Sequence, residues 1–525
     1  MPDGDHHHEE WRPSHNPWLI TVSVMLATVM EILDTTIVNV SLPHIAGSLS
    51  ATSEEATWVL TSYLISNAVI LAAAGWLSRY FGRKRYLAFS VSLFVISSIF
   101  CGMARNLSQI IIARILQGVG GGGLQPLSNA ILLESFPKEK RGEAMAAYGM
   151  GVVVAPVIGP VLGGWITDNY SWRWLFYINV PIGLIGLFMQ EMFIEDPPYV
   201  QRQRDGKIDY WGFGLLTLGI ALLQVILDKG QELDWFSSPL IVWSTGLSAV
   251  ALGAWVLWEL YSPDPLVNLR LLKDRNFALA TWLMALLGSI LYGTTVILPL
   301  FMQLLLGYTA YDAGWAMMPR GLGSFLSMMI IGRLMRLKGV DSRVLLLLGF
   351  AGVGATCWVL GGLNLNVARS NIAGPLLVNG MAMGFIFVPM TVLAYSTLKQ
   401  SQIYQATGLY SLLRNLGASI GISMCVTFQQ RLAQAHQNFL AAHITPFTGA
   451  FHAAMNRLGA ALHSITLTPS FPLARHMVYQ ALIGQSLLLS YMDVFEGLAI
   501  ASGVASLFVL LFHKARHAGR PLPVD

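Results

Sequence analysis

At 525 residues the chain is long enough for several soluble domains, yet 54% of it is apolar or aromatic and only 11% is charged, against about 25% charged in ordinary soluble domains. A soluble enzyme is excluded. The formal net charge of +4 is small and the basic residues are scattered among short loops, so nucleic acid has no electrostatic footprint as a partner. The apolar residues fall in runs of about 20, each long enough to cross about 30 Å of hydrocarbon at about 1.5 Å per helical residue. The fold class expected is therefore an all-α polytopic membrane protein. Cys101, Cys357 and Cys425 all lie inside apolar runs; an odd, embedded set reads as packing and makes no disulfide scaffold.

In chain order, residues 1–16 form a polar tail that includes His6, His7, His8, Glu9 and Glu10 and lacks a signal peptide's apolar core. The tail is expected to stay in the cytoplasm, and the His triplet is given no role. A first set of six spans, near 17–42, 56–78, 86–104, 109–133, 143–166 and 172–194, makes an N-terminal half over 17–195. Two further spans near 210–228 and 239–260 occupy a linker over 205–262. A second set of six follows near 275–302, 312–335, 343–363, 372–398, 405–428 and 490–512, making a half over 272–513, and a short tail of 514–525 closes the chain. The count is about fourteen.

Every second loop is basic, carrying in turn Arg79 to Arg85, Lys138 to Arg141, Arg202 to Lys207, Arg270 to Arg275 and Arg336 to Arg343. The alternation predicts an even number of spans with both termini in the cytoplasm. It also turns the long segment 429–489, which contains amphipathic stretches, to the outside; loops of that length are functional or disordered. Its five histidines lack ligand spacing, so no metal or cofactor site is expected. Gly75, Leu77, Arg79 and Gly82 recur at the same spacing as Gly332, Leu334, Arg336 and Gly339. The recurrence suggests two six-span halves in parallel repeat.

Ionisable residues at membrane depth are costly and default to functional candidates. They are Glu31, Asp34, Arg114, Arg320 and Arg414. Glu31 and Asp34 lie three apart, on one face of the first helix. Asp34 and Arg114 lie at similar depth and can meet, either as a buried structural ion pair or as a proton or cation site that an arginine modulates. The fifth span carries Gly151, Pro156, Gly159, Pro160, Gly163 and Gly164, residues that suit a bent helix sealing against a partner or, equally, tight static packing. Gly118 and Gly120 to Gly123 of the fourth span leave the same two readings open.

The first span reads Leu33-Asp34-Thr35-Thr36-Ile37-Val38-Asn39-Val40-Ser41-Leu42-Pro43, and the loop after the second reads Gly75-Trp76-Leu77-Ser78-Arg79-Tyr80-Phe81-Gly82-Arg83-Lys84. Arg114, Gln117, Gly118 and Gly120 follow in the fourth span, Gly159-Pro160 with Gly163-Gly164 in the fifth, then Trp172-Arg173-Trp174 through Ile178-Asn179-Val180-Pro181, and Asp228-Lys229-Gly230 with Asp234-Trp235-Phe236. In this order the motifs resemble those of the fourteen-span drug:proton antiporters of the major facilitator superfamily, closest to the EmrB branch.

The resemblance implies a secondary transporter that exports drug-like amphipathic compounds against protons across a bacterial inner membrane. It implies Asp34 and Arg114 in proton coupling, and Gly75, Arg79, Gly82, Arg83, Gly118, Gly159, Pro160, Gly163 and Gly164, with Pro156 of the same fifth span, as conformational motifs. It also implies a periplasmic membrane-fusion adaptor and outer-membrane channel as partners for a Gram-negative source. Arg79 departs from the pattern, standing where the superfamily has an acid. Glu31 is outside the signature and is read from its position alone, as an accessory proton or cation site. A transporter of one metabolite is the alternative, with a channel or a membrane-embedded enzyme more remote; no His-Glu-x-x-His, Gly-x-Ser-x-Gly or phosphate-binding loop is present.

Overall fold

In a computed structural model, residues 13–137, 140–196, 209–263, 265–335, 340–398, 402–444, 449–466 and 471–512 are described. Lys138, Arg202, Arg204, Lys207, Arg336, Lys338, Gly339, the tail 514–525 and most of the tail 1–16 lie outside them. The described residues form helices and short connections, with no strand among them. The first half contains α1 (Pro17–Val40), α2 (Leu42–Ser48), α3 (Ser53–Phe81), α4 (Arg83–Met103), α5 (Leu107–Gly121), α6 (Leu124–Ser135), α7 (Arg141–Asn169), α8 (Trp174–Tyr177) and α9 (Asn179–Phe193). The inserted pair is α10 (Tyr210–Lys229) and α11 (Pro239–Tyr261). The second half contains α12 (Arg275–Leu304), α13 (Ala310–Leu334), α14 (Ser342–Gly361), α15 (Arg369–Tyr395), α16 (Ile403–His443), α17 (Gly449–Thr466) and α18 (Phe471–Val509).

Local chemistry sets the helix starts. Asn16 caps α1 with Pro17 in the first turn, Thr52 and Glu55 make a reciprocal capping box on α3, and Asn106, Asp274 and Thr309 cap α5, α12 and α13. Each satisfies backbone N–H groups that a helix leaves without intrahelical partners. Gly82 stands at φ +84°, a backbone conformation costly for any residue with a Cβ, and it reverses the chain between α3 and α4.

Packing repeats between the halves. In the first, α3 lies on α5 and α1 on α7; in the second, α13 lies on α15 and α12 on α16. The halves meet through α7 against α13 and α3 against α16, with α10 laid against α3 and α16. That is the pairing a parallel repeat generates.

Eleven described helices are long and apolar enough to cross a bilayer, or twelve with the two arms of α7 taken as one span bent by 41°. The expected fourteen are thus not all recovered. The fourth predicted span, 109–133, is interrupted between α5 and α6, whose 15 and 12 residues are each too short to cross alone. The tenth corresponds to α13, which carries Asp312, Arg320 and Arg333 among its apolar residues.

The segment 429–489 differs from the long loop the sequence suggests. Helix α16 runs on for 41 residues to His443, and α18 starts at Phe471, well before the predicted span at 490. Amphipathic stretches on both sides of the apolar limit keep the helical period, and the two extensions pack together with α17 on α18. Gln429 Nε2 donates to Ser490 Oγ at 3.4 Å, and His436 Nε2 meets Asp493 Oδ2 at 2.6 Å.

Candidate transport site

Helix α1 brings two carboxylates into the first half, and both are buried, Glu31 at 2% exposure and Asp34 at 0%. Arg114 on α5 reaches Asp34, with Nη1 to Oδ2 at 2.5 Å. The other carboxylate oxygen accepts from Gln117 Nε2 at 2.9 Å and from Asn179 Nδ2 at 2.8 Å. All three partners donate, so the arrangement suits the acceptor-only, ionised carboxylate. Arg114 also donates from Nε to the Val59 carbonyl at 2.9 Å, and its guanidinium lies 4.2 Å from the centre of the Tyr63 ring. Asp34 thereby ties α1 to α5 and α9.

Glu31, one turn away, faces a different set. It accepts from Gln125 Nε2, from Asn67 Nδ2 at 3.2 Å and from Tyr63 OH at 3.5 Å. The Gln125 amide oxygen accepts in turn from Arg414 on α16. A chain of carboxylate, amide and guanidinium therefore crosses from the first half to the second. Tyr63 borders both networks, its hydroxyl toward Glu31 and its ring under Arg114.

Small residues make these approaches possible. A Cβ at Gly118 would collide with Ser66 Oγ and stand 2.5 Å from the Tyr63 carbonyl, and one at Gly120 would stand 2.7 Å from the Phe94 nitrogen. On α7, Gly159 and Gly163 press on Thr36 and Ile37 of α1, one turn beyond Asp34, while Gly164 is buried beside them and Pro156 and Pro160 lie at the bend. Side chains there would push α1 and α7 apart.

At the basic-loop end, buried Gly75 lies against Gly408 of α16. Arg79, in the position expected of an acid, donates from Nη1 (3.1 Å) and Nη2 (3.3 Å) to the Gln405 amide oxygen once that amide is oriented to suit its neighbours. Arg83 makes a two-pronged pair with Glu134 of α6, the second prong at 3.0 Å, with both side chains buried.

The sequence model of the Major Facilitator Superfamily matches residues 24–422. The chain belongs to that superfamily. It is 38% identical over 84% of its length to the multidrug export protein EmrB of Haemophilus influenzae, covering 86% of that protein. It is also 38% identical to the fatty acid resistance protein FarB of Neisseria gonorrhoeae, over 82% of this chain and 85% of the relative, and 36% identical to EmrB of Escherichia coli K12, over 82% and 83%. These relatives place it among the EmrB-type facilitators. The human organic anion transporter MFSD10 superposes with a TM-score of 0.60 at 11% identity, covering 94% of this chain and all of that one, and the proton:xylose symporter XylE with 0.59 at 15%, covering 94% and 95%. Those two likenesses show the fold alone.

For a facilitator, the site sorts the residues singled out by sequence into three groups. Asp34 and Arg114 meet directly. Glu31 and Arg414 are joined through Gln125, and Arg320 stands apart on α13. Gln125, Asn67, Asn179 and Glu134 complete the networks; of these only Asn179 stands in a motif that the sequence singles out, and none is a charge inside a predicted span. The first three are neutral, and Glu134 lies one residue past the predicted span. The signal for Gln125 was its place just after the glycine run, at the restart of a broken helix.

Proposed function

We propose that this facilitator is a proton-coupled multidrug exporter of amphipathic compounds, with 17–195 and 272–513 as the two halves that alternate access. The observation that carries the reading is Asp34, a buried carboxylate held only by donors from α5 and α9. Protonation removes the charge that Arg114 pairs with and one of the acceptor sites that Gln117 and Asn179 fill. This loosens α1 from α5 and α9. Helix α1 is seated on α7 at Gly159 and Gly163, and α7 in turn packs along α13 of the other half. A proton on Asp34 can therefore bias how the halves meet, through contiguous packing. Exchange follows if the proton on Asp34 and the bound substrate favour opposite-facing arrangements of the halves, a coupling through packing that does not depend on the sign of the substrate's charge. Adding amphipathic compounds to purified protein in weak buffer should release protons. Binding with no proton release from any compound, together with export indifferent to a protonophore, would reject the coupling.

In the same reading α5–α6 and α13 also cross the bilayer, making fourteen spans, and both termini are cytoplasmic in the inner membrane. Helix α17 then lies outside, where a periplasmic adaptor that leads to an outer-membrane channel would engage the extension 429–489. Single cysteines at positions 140 and 450 should be labelled from opposite faces, and replacing 435–475 by a flexible linker should abolish adaptor capture while sparing substrate binding. Labelling of both from one face overturns the topology; unchanged capture overturns the docking.

A further inference from the structure

Arg320 lies ten residues into α13, about 15 Å from its first residue, and is 1% exposed. Nη2 donates to Thr294 Oγ1 at 2.9 Å and Nη1 to Thr295 Oγ1 at 3.2 Å, while Nε has no acceptor. Both threonine hydroxyls are themselves committed as donors to α12 carbonyls, Thr294 to Ile290 at 2.8 Å and Thr295 to Leu291 at 2.6 Å. They offer Arg320 lone pairs but no negative charge. Arg114 has Asp34 and Arg83 has Glu134, whereas the side-chain partners of Arg320 are the two neutral hydroxyls. No described carboxylate makes an ion pair with it.

An unpaired guanidinium is costly at this depth and is tolerated where it serves a site. The surrounding balance points the same way. Glu31 and Asp34 stand against Arg114, Arg320 and Arg414, so with all five ionised the buried centre carries one positive charge in excess. A bound cation would worsen that balance, and a bound anion would close it. The geometry of the free edge agrees. Arg320 has five N–H donors and spends two on the threonines; Nε and the adjacent Nη hydrogen form the planar fork that takes a carboxylate through two parallel hydrogen bonds. Thr295 and, one turn away on α12, Tyr292 are only partly buried, so the α12 side of the site is not sealed.

We infer that Arg320, oriented by Thr294 and Thr295, binds the carboxylate of an anionic amphipathic substrate from the second half. The inference gives the exporter a substrate class and rests on the export reading above. Three probes of one shape test it on the full chain in lipid nanodiscs by calorimetry: 1-naphthaleneacetate, its neutral amide, and 1-naphthylmethylammonium. The wild type should bind the acid about tenfold or more tightly than the amide. Arg320→Gln should erase that preference while leaving the amide affinity in place, and Arg320→Lys should keep a smaller preference, because a point charge lacks the fork. Equal binding of acid and amide by the wild type, or a full preference in Arg320→Gln, overturns the inference. If Arg320→Gln does not fold, Arg320→Lys decides: a reduced acid preference supports the site and an unchanged one rejects it. Proton-driven movement of the probes in wild-type vesicles separates the two readings. Export without acid preference sinks the carboxylate site alone, and probes that bind yet never move against a gradient sink the exporter.

Discussion

Asp34→Asn, reconstituted in vesicles under an inward proton gradient, loses uphill export down to the passive leak and loses substrate-induced proton movement. The amide keeps the shape and one acceptor oxygen of the carboxylate but can neither carry the proton nor supply the charge opposite Arg114. Substrate affinity should change by less than about tenfold, or about 1.4 kcal/mol, because Asp34 is spent on Arg114, Gln117 and Asn179. Arg114 retains the Val59 carbonyl, the Gln117 amide oxygen and the Tyr63 ring, so the variant should fold with reduced stability. Equilibrium binding and flux are measured on the same preparation. Should Asp34→Asn still export uphill with normal proton flux while Glu31→Gln does not, the two carboxylates exchange roles.

The largest effect on stability is expected at the basic-loop end. Glu134→Leu removes the carboxylate that grips buried Arg83 in two prongs, and removing one partner of a buried pair costs about 3–5 kcal/mol. The detergent-solubilised protein should unfold several degrees lower, read as the midpoint of its tryptophan fluorescence transition. The double change Arg83→Leu with Glu134→Leu should regain most of that loss, because the guanidinium that Glu134 neutralises is then removed with it. A single Glu134→Leu variant with the wild-type midpoint would show that the pair is not holding α4 to α6.

Run length made most of the helices legible, because about 20 apolar residues have few other uses. The cost of burying charge made Asp34 and Arg114 legible as a pair. What stayed hidden depended on other helices. Nothing in the string around Gln125 tells that its amide stands between Glu31 of α1 and Arg414 of α16. Arg320 was found by depth, but its lack of a carboxylate is a fact about α12, α14 and α15. The break at Gly122 and Gly123 was obscured by the apolar residues on either side, which read as one span. The stretches after residues 428 and 451 were each recognisably amphipathic, yet the first gave no sign that it continues α16 without interruption, since a helix leaving the bilayer changes composition before it changes conformation.

That continuity has a mechanical consequence. Helix α16 meets α3 at Gly408 near one end of the bundle and carries on to His443 at the other, so its 41 residues form a single rod of about 62 Å. Roughly its last 15 residues, about 22 Å, extend past the apolar stretch and are braced by α18 through His436 and Asp493. A rod clamped near its base works as a pointer: any tilt of the second half relative to the first is displayed at the far tip as sideways travel in proportion to the whole length. Whatever rests on that tip feels the state of the transport cycle directly, with no hinge between to absorb it.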